Sequence, residues 1–187
     1  MPLLAADELH TLFLGVFQEY VVTVLWALID ADVFGIGRQA FLSTQDAFTS
    51  RSGDRLRYEF SNWCKDERAR DPDKPLYELV EFSHNTLGTR ARPHLKAKAA
   101  ESGTLLRFAV ELARRYESDV PQGQLLLAAG RGLLDYLRIT RVNTKRLDIR
   151  EQQGLMDSWL RFLNVREGAH IPFKPKHTLS NSPHVRL

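Results

Sequence analysis

The sequence has 187 residues, of which 43% are hydrophobic and 26% charged, a balance that excludes global disorder and collagen-like repeats. Its single cysteine, Cys64, excludes an internal disulfide framework and a cysteine-rich zinc module. The net charge is +3, and the charges are distributed unevenly. The first half (residues 1–89) is acidic, with 8 Lys/Arg and 14 Asp/Glu, whereas the second half (residues 90–187) is basic, with 18 Lys/Arg and 9 Asp/Glu. The basic half therefore indicates an anionic partner.

The first half of the chain is predicted to be helical. Residues 9–34 are rich in Leu, Val and Phe, lack proline and end at a Gly-Ile-Gly sequence, which predicts one long helix. The β-branched run at residues 21–24 leaves a buried strand as the alternative, although the length of the segment favours a helix. Residues 39–50 predict a shorter helix that ends in the polar residues 50–53, after which Asp54 is expected to cap a new helix.

The second half is also predicted to be helical. After a proline-flanked loop at residues 71–75, residues 76–89 are either a short helix or an irregular segment. Three amphipathic helices are then expected at residues 93–116 (with Pro93 in the first turn), 122–140 and 149–163. The expected fold class is all-α, an irregular multi-helix bundle with an extended basic C-terminal tail. The expected division is an acidic helical subdomain (1–70), the loop (71–75), a basic helical subdomain (76–167) and an extended or disordered tail (168–187).

Residues 11–29 are the most apolar stretch and are nearly long enough to cross a bilayer. Gln18 and Glu19 lie near its centre, and a charged side chain there costs about 2.5–3.5 kcal/mol even on lenient insertion scales. The preceding residues are acidic, which is atypical of a signal peptide. A buried helix is the preferred interpretation, so no membrane partner is expected and the protein is expected to be intracellular, either cytoplasmic or nuclear.

No catalytic motif stands out in the sequence. The six histidines lack the spacing of a helical zinc site, and Cys64 lies beside Trp63 on an apolar helix face, which is typical of a buried thiol. Gly130-Arg131-Gly132 lacks the strand context of a dinucleotide-binding loop and predicts a close helix–helix contact or a helix break. We therefore expect no catalytic residues, no metal site, no cofactor and no small-molecule substrate.

Basic residues are the most informative class, because phosphate binding requires positive surface. They form three clusters along the second half of the chain. The candidate nucleic-acid contacts are Arg90, Arg92, Lys96, Lys98, Arg138, Arg141, Lys145, Arg146, Arg150, Lys174 and Lys176. The alternative is that these residues only keep the helices soluble.

Two short motifs lie near the two ends of the chain. Asp7 and His10 fit a D-x-x-H pattern that is followed by Leu-Gly-Val at residues 14–16. Near the other end stands the run Phe173-Lys174-Pro175-Lys176-His177. Together they resemble the D-x-x-H and KPKHH segments of eukaryotic mobile-element transposases of the RNase H-like DDE type. In that family a large all-helical insertion lies between these regions, and residues 60–63 and 96–100 are compatible with it.

The resemblance implies a helical fragment without catalytic activity. Such transposases hold two metal ions with three carboxylates. Here the first aspartate has no counterpart upstream, the last glutamate would lie beyond residue 177, and Thr178 stands where a second His is expected. The sequence thus predicts a non-catalytic, mobile-element-derived helical module that binds DNA or RNA through its basic half. The alternatives are a helical scaffold that binds another protein and a membrane-anchored protein that uses residues 11–29.

Overall fold

The computed structural model describes residues 14–35, 45–79, 81–142 and 149–171. Over those ranges the chain forms six helices and one two-stranded sheet, which confirms the predicted all-α multi-helix class. The predicted extended or disordered tail is wrong at its start, because residues 167–170 form a turn after the last helix and Ala169 and Ile171 are buried in the core. Residues 172–187 of the predicted tail lie outside the described residues. The elements in chain order are α1 (Phe17–Asp30), α2 (Gln45–Arg70), α3 (His84–Leu87), β1 (Gly88–Thr89), β2 (Arg92–Pro93), α4 (Ala99–Arg115), α5 (Gly123–Val142) and α6 (Ile149–Arg166).

Helix α1 lies at the centre of the core. Ten of its 14 residues are buried, which explains why this stretch is apolar on every side. The β-branched residues 21–24 are helical, so the strand alternative is wrong for them. One wider helical turn at residues 14–16 precedes α1, and the rest of the predicted N-terminal extension lies outside the described residues. Among the residues described, no helix is long and apolar enough to span a membrane.

Helices α1 and α4 run in the same direction. At one end Gln18 Nε2 donates to Ser102 Oγ at 3.2 Å, and at the other end the rings of Phe34 and Tyr116 pack edge to face with centroids 6.2 Å apart. Helix α5 then runs antiparallel to α4, as two contacts show: Gly123 lies against Glu117, and Gly130 lies against Val110. These two contacts fix the register of α5 along α4.

Helices α5 and α6 form an antiparallel hairpin. Gly132 packs against the backbone of Ser158, and the Tyr136 and Trp159 rings lie 5.8 Å apart. The predicted helices at 122–140 and 149–163 are confirmed, with slightly later ends. Gly130 and Gly132 both lie inside α5 at close helix–helix contacts, so the predicted close contact is confirmed and the alternative of a helix break is wrong.

Helix α2 corrects one prediction. It runs without interruption through residues 50–53, so neither the predicted break nor the Asp54 N-cap exists. The glycine in this stretch permits close packing: a Cβ on Gly53 would lie 1.8 Å from the carbonyl oxygen of Phe82. Further along α2, Phe60 stacks edge to face on Phe108 of α4 with centroids 5.0 Å apart. Residues from both predicted subdomains therefore share one buried core.

The start of α4 corrects a second prediction. The helix begins at Ala99 and not at Pro93, which lies in β2. Lys98 has extended backbone angles (φ −71°, ψ 160°), and its backbone N–H donates to Glu101 Oε2 at 2.7 Å. The Glu101 carboxylate thus caps the first turn of α4, and residues 94–98 before it lack regular secondary structure. The irregular alternative for residues 76–89 is confirmed over most of the segment, with one helical turn at α3.

Candidate nucleic-acid interface

The first basic cluster lies on a tight hairpin and the extended stretch that follows it. We call residues 88–98 the basic segment. Strand β1 pairs antiparallel with β2, with Gly88 opposite Pro93 and Thr89 opposite Arg92. Gly88 has φ +70°, and a Cβ there would lie 2.4 Å from His94 Nδ1 and 2.5 Å from the Arg92 carbonyl oxygen. Only glycine fits this turn, and it holds the hairpin closed.

Hydrogen bonds attach the basic segment to α3, and α3 in turn to α1. The carbonyl oxygen of Leu87 accepts from the His94 backbone N–H and from Trp26 Nε1, each at 3.2 Å. The Lys96 backbone N–H donates to the Thr86 carbonyl oxygen at 2.8 Å. Because Trp26 belongs to the buried face of α1, the backbone that carries the basic residues is held on the core.

The four basic side chains of the segment are all exposed. Arg90 Nε bonds Asp30 Oδ2 at 3.0 Å. Burial raises the pKa of the Asp30 carboxyl, and the Arg90 guanidinium partly offsets that effect. Arg92, Lys96 and Lys98 form no ion pair with any of the residues that the structure describes. Three cations on an anchored backbone therefore face solvent without a neutralising carboxylate from the described part of the chain.

The second basic cluster lies towards the same end of the helix layer. The contacts of Gly123 with Glu117 and of Gly130 with Val110 define how α5 is aligned along α4. If this alignment is continued along the two helices, Arg138 lies level with Ser102, and the end of α5 lies level with Lys98. Arg138 and Arg150 are exposed, on α5 and at the start of α6 respectively. The side chain of Arg141 and the residues Lys145, Arg146, Lys174 and Lys176 lie outside what the structure describes.

Elsewhere in the basic half, several arginines have acidic partners. Arg114 bonds Glu111 at 2.7 Å and holds the pKa of that carboxyl below its usual range. Arg115 bonds Glu59 at 3.1 Å, and Arg161 bonds Asp135 at 3.2 Å. The positive charge of the second half is thus partly neutralised on the helices, whereas Arg92, Lys96 and Lys98 of the basic segment have no such partner among the described residues.

A pocket of about 320 Å³ adjoins the basic segment. It lies between the start of α1 and the stretch that leads into α4. Gln18 is buried, and its Nε2 donates to the Ala97 carbonyl oxygen at 2.7 Å and to Ser102 Oγ. The pocket is lined by Leu14, Gln18, Glu19, His94, Leu95, Lys96 and Ala97.

Apart from Lys96, none of these pocket residues was predicted from the sequence to be functional. Two signals could have indicated them: the polar pair Gln18-Glu19 interrupts the most apolar helix, and His94 lies inside the first basic cluster. A polar pair inside a buried helix needs partners, and here the chain that leads into α4 supplies those of Gln18.

The described residues contain no group of three or more His, Cys, Asp or Glu side chains placed to hold a metal ion. Cys64 is buried, as predicted, and burial raises the pKa of its thiol to about 11. The motif residues Asp7, His10, Lys174, Pro175, Lys176 and His177 lie outside the described ranges. Comparison of the chain with protein-family models, with curated proteins and with solved structures finds no match.

Proposed function

We propose that this protein is a non-catalytic helical module that binds nucleic acid through the basic segment. The observation that carries the proposal is the set of three exposed cations, Arg92, Lys96 and Lys98, which have no acidic partner among the described residues. Arg138 and Arg150 extend the positive surface towards the α5–α6 hairpin.

The physical basis is the exchange of counterions for protein cations on the phosphate backbone. Each phosphate that a Lys or Arg neutralises releases condensed counterions, so affinity falls steeply as salt rises. Because the backbone of the segment is hydrogen-bonded to α3 and, through the Ala97 carbonyl oxygen, to Gln18 of α1, the backbone positions that carry the cations have a fixed spacing. Binding then orders only the ends of these side chains.

The resemblance to DDE-type transposases points to the same class of partner. Under this proposal the chain corresponds to the helical insertion of such a protein and retains DNA contact without the metal-binding carboxylates. Intracellular localisation, in the nucleus or the cytoplasm, follows from that assignment. The proposal for binding does not depend on the resemblance, because it rests on the exposed cations.

The test is retention on immobilised DNA and RNA at low salt. The triple variant Arg92→Ala, Lys96→Ala, Lys98→Ala is expected to lose most of the retention. The matched control removes three exposed cations of α2 with Arg51→Ala, Arg57→Ala and Lys65→Ala and is expected to bind nearly as well as the wild type. Failure of the wild-type chain to bind at low salt, or equal losses in the two variants, would contradict the proposal.

A second candidate function, protein binding, is favoured by one surface. Helix α6 packs on α5. On its outer face three apolar residues are exposed to solvent: Ile149 by 84%, Met156 by 54% and Leu160 by 46%. Exposed apolar side chains at this spacing form a stripe that suits a partner helix. Met156→Lys should abolish any self-association or partner binding seen by light scattering, and should leave nucleic-acid binding unchanged if the first proposal is right.

A further inference from the structure

We infer that helix α6 pairs with α6 of a second copy of this chain, in antiparallel orientation, and so forms a symmetric dimer. This inference rests on the second candidate function, protein binding by the outer face of α6, and it names the partner. It makes no use of the basic segment, so it is tested separately from nucleic-acid binding.

The outer face of α6 has the residue spacing of a coiled-coil seam. Four exposed residues are separated by four, three and four positions, and we call them the α6 seam: Ile149, Gln153, Met156 and Leu160. At 3.6 residues per turn they lie within an arc of about 60°. Alternating steps of three and four residues are the pattern by which two helices pack their side chains into each other. The seam therefore suits one partner helix.

The opposite face of α6 is packed on α5. Ser158 and Phe162 are buried there, and Gly132 of α5 lies against both of them. At 3.6 residues per turn these two residues project from the side of the helix opposite the seam. A second helix can therefore approach the seam without displacing α5.

Gln153 is the polar member of the seam. Its Nε2 donates to Asp157 Oδ1 at 2.9 Å, which draws the amide to one side and leaves the aliphatic part of the side chain over the seam. One polar residue in an otherwise apolar seam costs stability and fixes the register of the two helices. We therefore expect a single alignment of α6 on its partner.

Two opposite charges flank the seam on the same side. Arg150 and Asp157 directly follow Ile149 and Met156 in the chain, and both are exposed. Neither forms an ion pair with any residue that the structure describes. Charges beside a coiled-coil seam set the choice and orientation of the partner.

One antiparallel alignment buries the whole seam. It places Ile149 level with Leu160 of the second copy, and Gln153 level with Met156 of the second copy. Because the dimer is two-fold symmetric, each of these layers occurs twice. All four seam residues then have an opposing seam residue.

The same alignment pairs the flanking charges. Arg150 lies within about 3 Å, measured along the helix axis, of Asp157 of the second copy, and symmetry repeats the pair. In a parallel dimer, residues on this side of the seam would face those on the other side, so the two charges would not meet. Charge complementarity thus favours a second copy in antiparallel orientation. Since Arg150 is then engaged in the dimer, the phosphate-binding surface of the dimer consists of the basic segment and Arg138.

The test is sedimentation equilibrium of the full chain without nucleic acid. Loading concentrations should extend from about 1 to 500 µM, because an interface of one short helix pair is at the weak end of the size range. We expect the average mass of the wild type to rise with concentration from that of a monomer towards that of a dimer. Met156→Lys should remain monomeric.

Two charge reversals test the alignment. Arg150→Asp and Asp157→Arg each create two like-charge pairs across the two-fold axis, so each should weaken the dimer at least about tenfold. An equal mixture of the two variants brings opposite charges together again and should associate about as tightly as the wild type. The double variant should do so by itself.

The matched controls are Arg57→Asp and Asp66→Arg, which make the same charge changes at exposed positions of α2. Both should dimerise like the wild type. Because all four changed positions are exposed, the variants are expected to fold, and thermal unfolding followed by circular dichroism checks this.

The outcomes separate the proposals. A wild type that stays monomeric at every concentration, as it would if another segment of the chain covered the seam, overturns the dimer. Association that Met156→Lys abolishes but the charge reversals leave unchanged overturns the antiparallel pairing and leaves protein binding by α6 standing. Single variants that do not associate when mixed also overturn the pairing. None of these results bears on retention by nucleic acid at low salt, on which the main proposed function depends.

Discussion

The substitution Gly130→Ala should destabilise the protein strongly, because Gly130 lies where α5 meets both α1 and α4. A Cβ at this position would lie 2.1 Å from Tyr20 Oη and 2.6 Å from Val110 Cγ2. Tyr20 cannot simply move away, because it is fully buried and its hydroxyl donates to the Leu126 carbonyl oxygen at 3.1 Å. Overpacking of this kind costs about 1–3 kcal/mol or more.

A second α-helical glycine provides the matched control. A Cβ on Gly154 of α6 would meet Ile139 at 3.5 Å, an ordinary van der Waals contact. Gly154→Ala should therefore gain the ordinary helix propensity of alanine over glycine, about 0.5–1 kcal/mol. The two substitutions add the same methyl group to neighbouring helices and should act with opposite signs.

Urea denaturation followed by circular dichroism measures both variants against the wild type. We expect the free energy of unfolding to fall by about 1–3 kcal/mol for Gly130→Ala and to rise for Gly154→Ala. For a chain of this size, 1 kcal/mol corresponds to a shift of about 2–4 °C in Tm, so a thermal scan gives an independent check. A Gly130→Ala variant as stable as the wild type would refute the described packing of α1, α4 and α5.

Single residues give three further predictions. Cys64 should react with a thiol reagent at pH 8 about 100-fold more slowly in the native protein than in denaturant, because its raised pKa of about 11 reduces the fraction of thiolate. Equal rates in the native and denatured protein would contradict the burial of Cys64. Asp30→Asn should raise the free energy of unfolding at pH 7 by less than about 1 kcal/mol, because burial disfavours the charged carboxylate. Its raised pKa means that this gain should shrink as the pH falls and the wild-type carboxyl is protonated, and a gain that grows towards acid pH would refute the assigned cause. Gly88→Ala should lower nucleic-acid affinity, measured by fluorescence anisotropy, and should change Tm less, because it opens the hairpin and leaves the helical core in place. Unchanged affinity would show that binding does not need the hairpin geometry.

The helices themselves were largely predictable, because periodic apolar residues indicate a buried helix face. The α5–α6 hairpin shows this best: both helices appear where the sequence places them, and the expected close contact at Gly130 and Gly132 is present. The course of α2 was not predictable. Gly53 reads as a helix break in the sequence, and only the position of Phe82, which is distant in the chain, shows that the glycine makes room for a neighbouring backbone.

The candidate site was predictable in its charge and not in its shape. The run of Arg and Lys at residues 90–98 is visible in the sequence, but its hairpin depends on the positive φ of Gly88. The pocket joins two polar residues of α1 to residues almost 80 positions later, as the bond from Gln18 to Ala97 shows. Local patterns carry no information about such a pairing.

The most direct test of the central claim is the dependence of single-strand affinity on salt concentration. Each phosphate that a variant no longer neutralises should make the slope of log affinity against log salt shallower by about 0.7 on a single strand. The triple variant of Arg92, Lys96 and Lys98 should therefore show a slope about two units shallower than the wild type, whereas the α2 control should keep the wild-type slope. Identical slopes for all three proteins would contradict a phosphate interface on the basic segment.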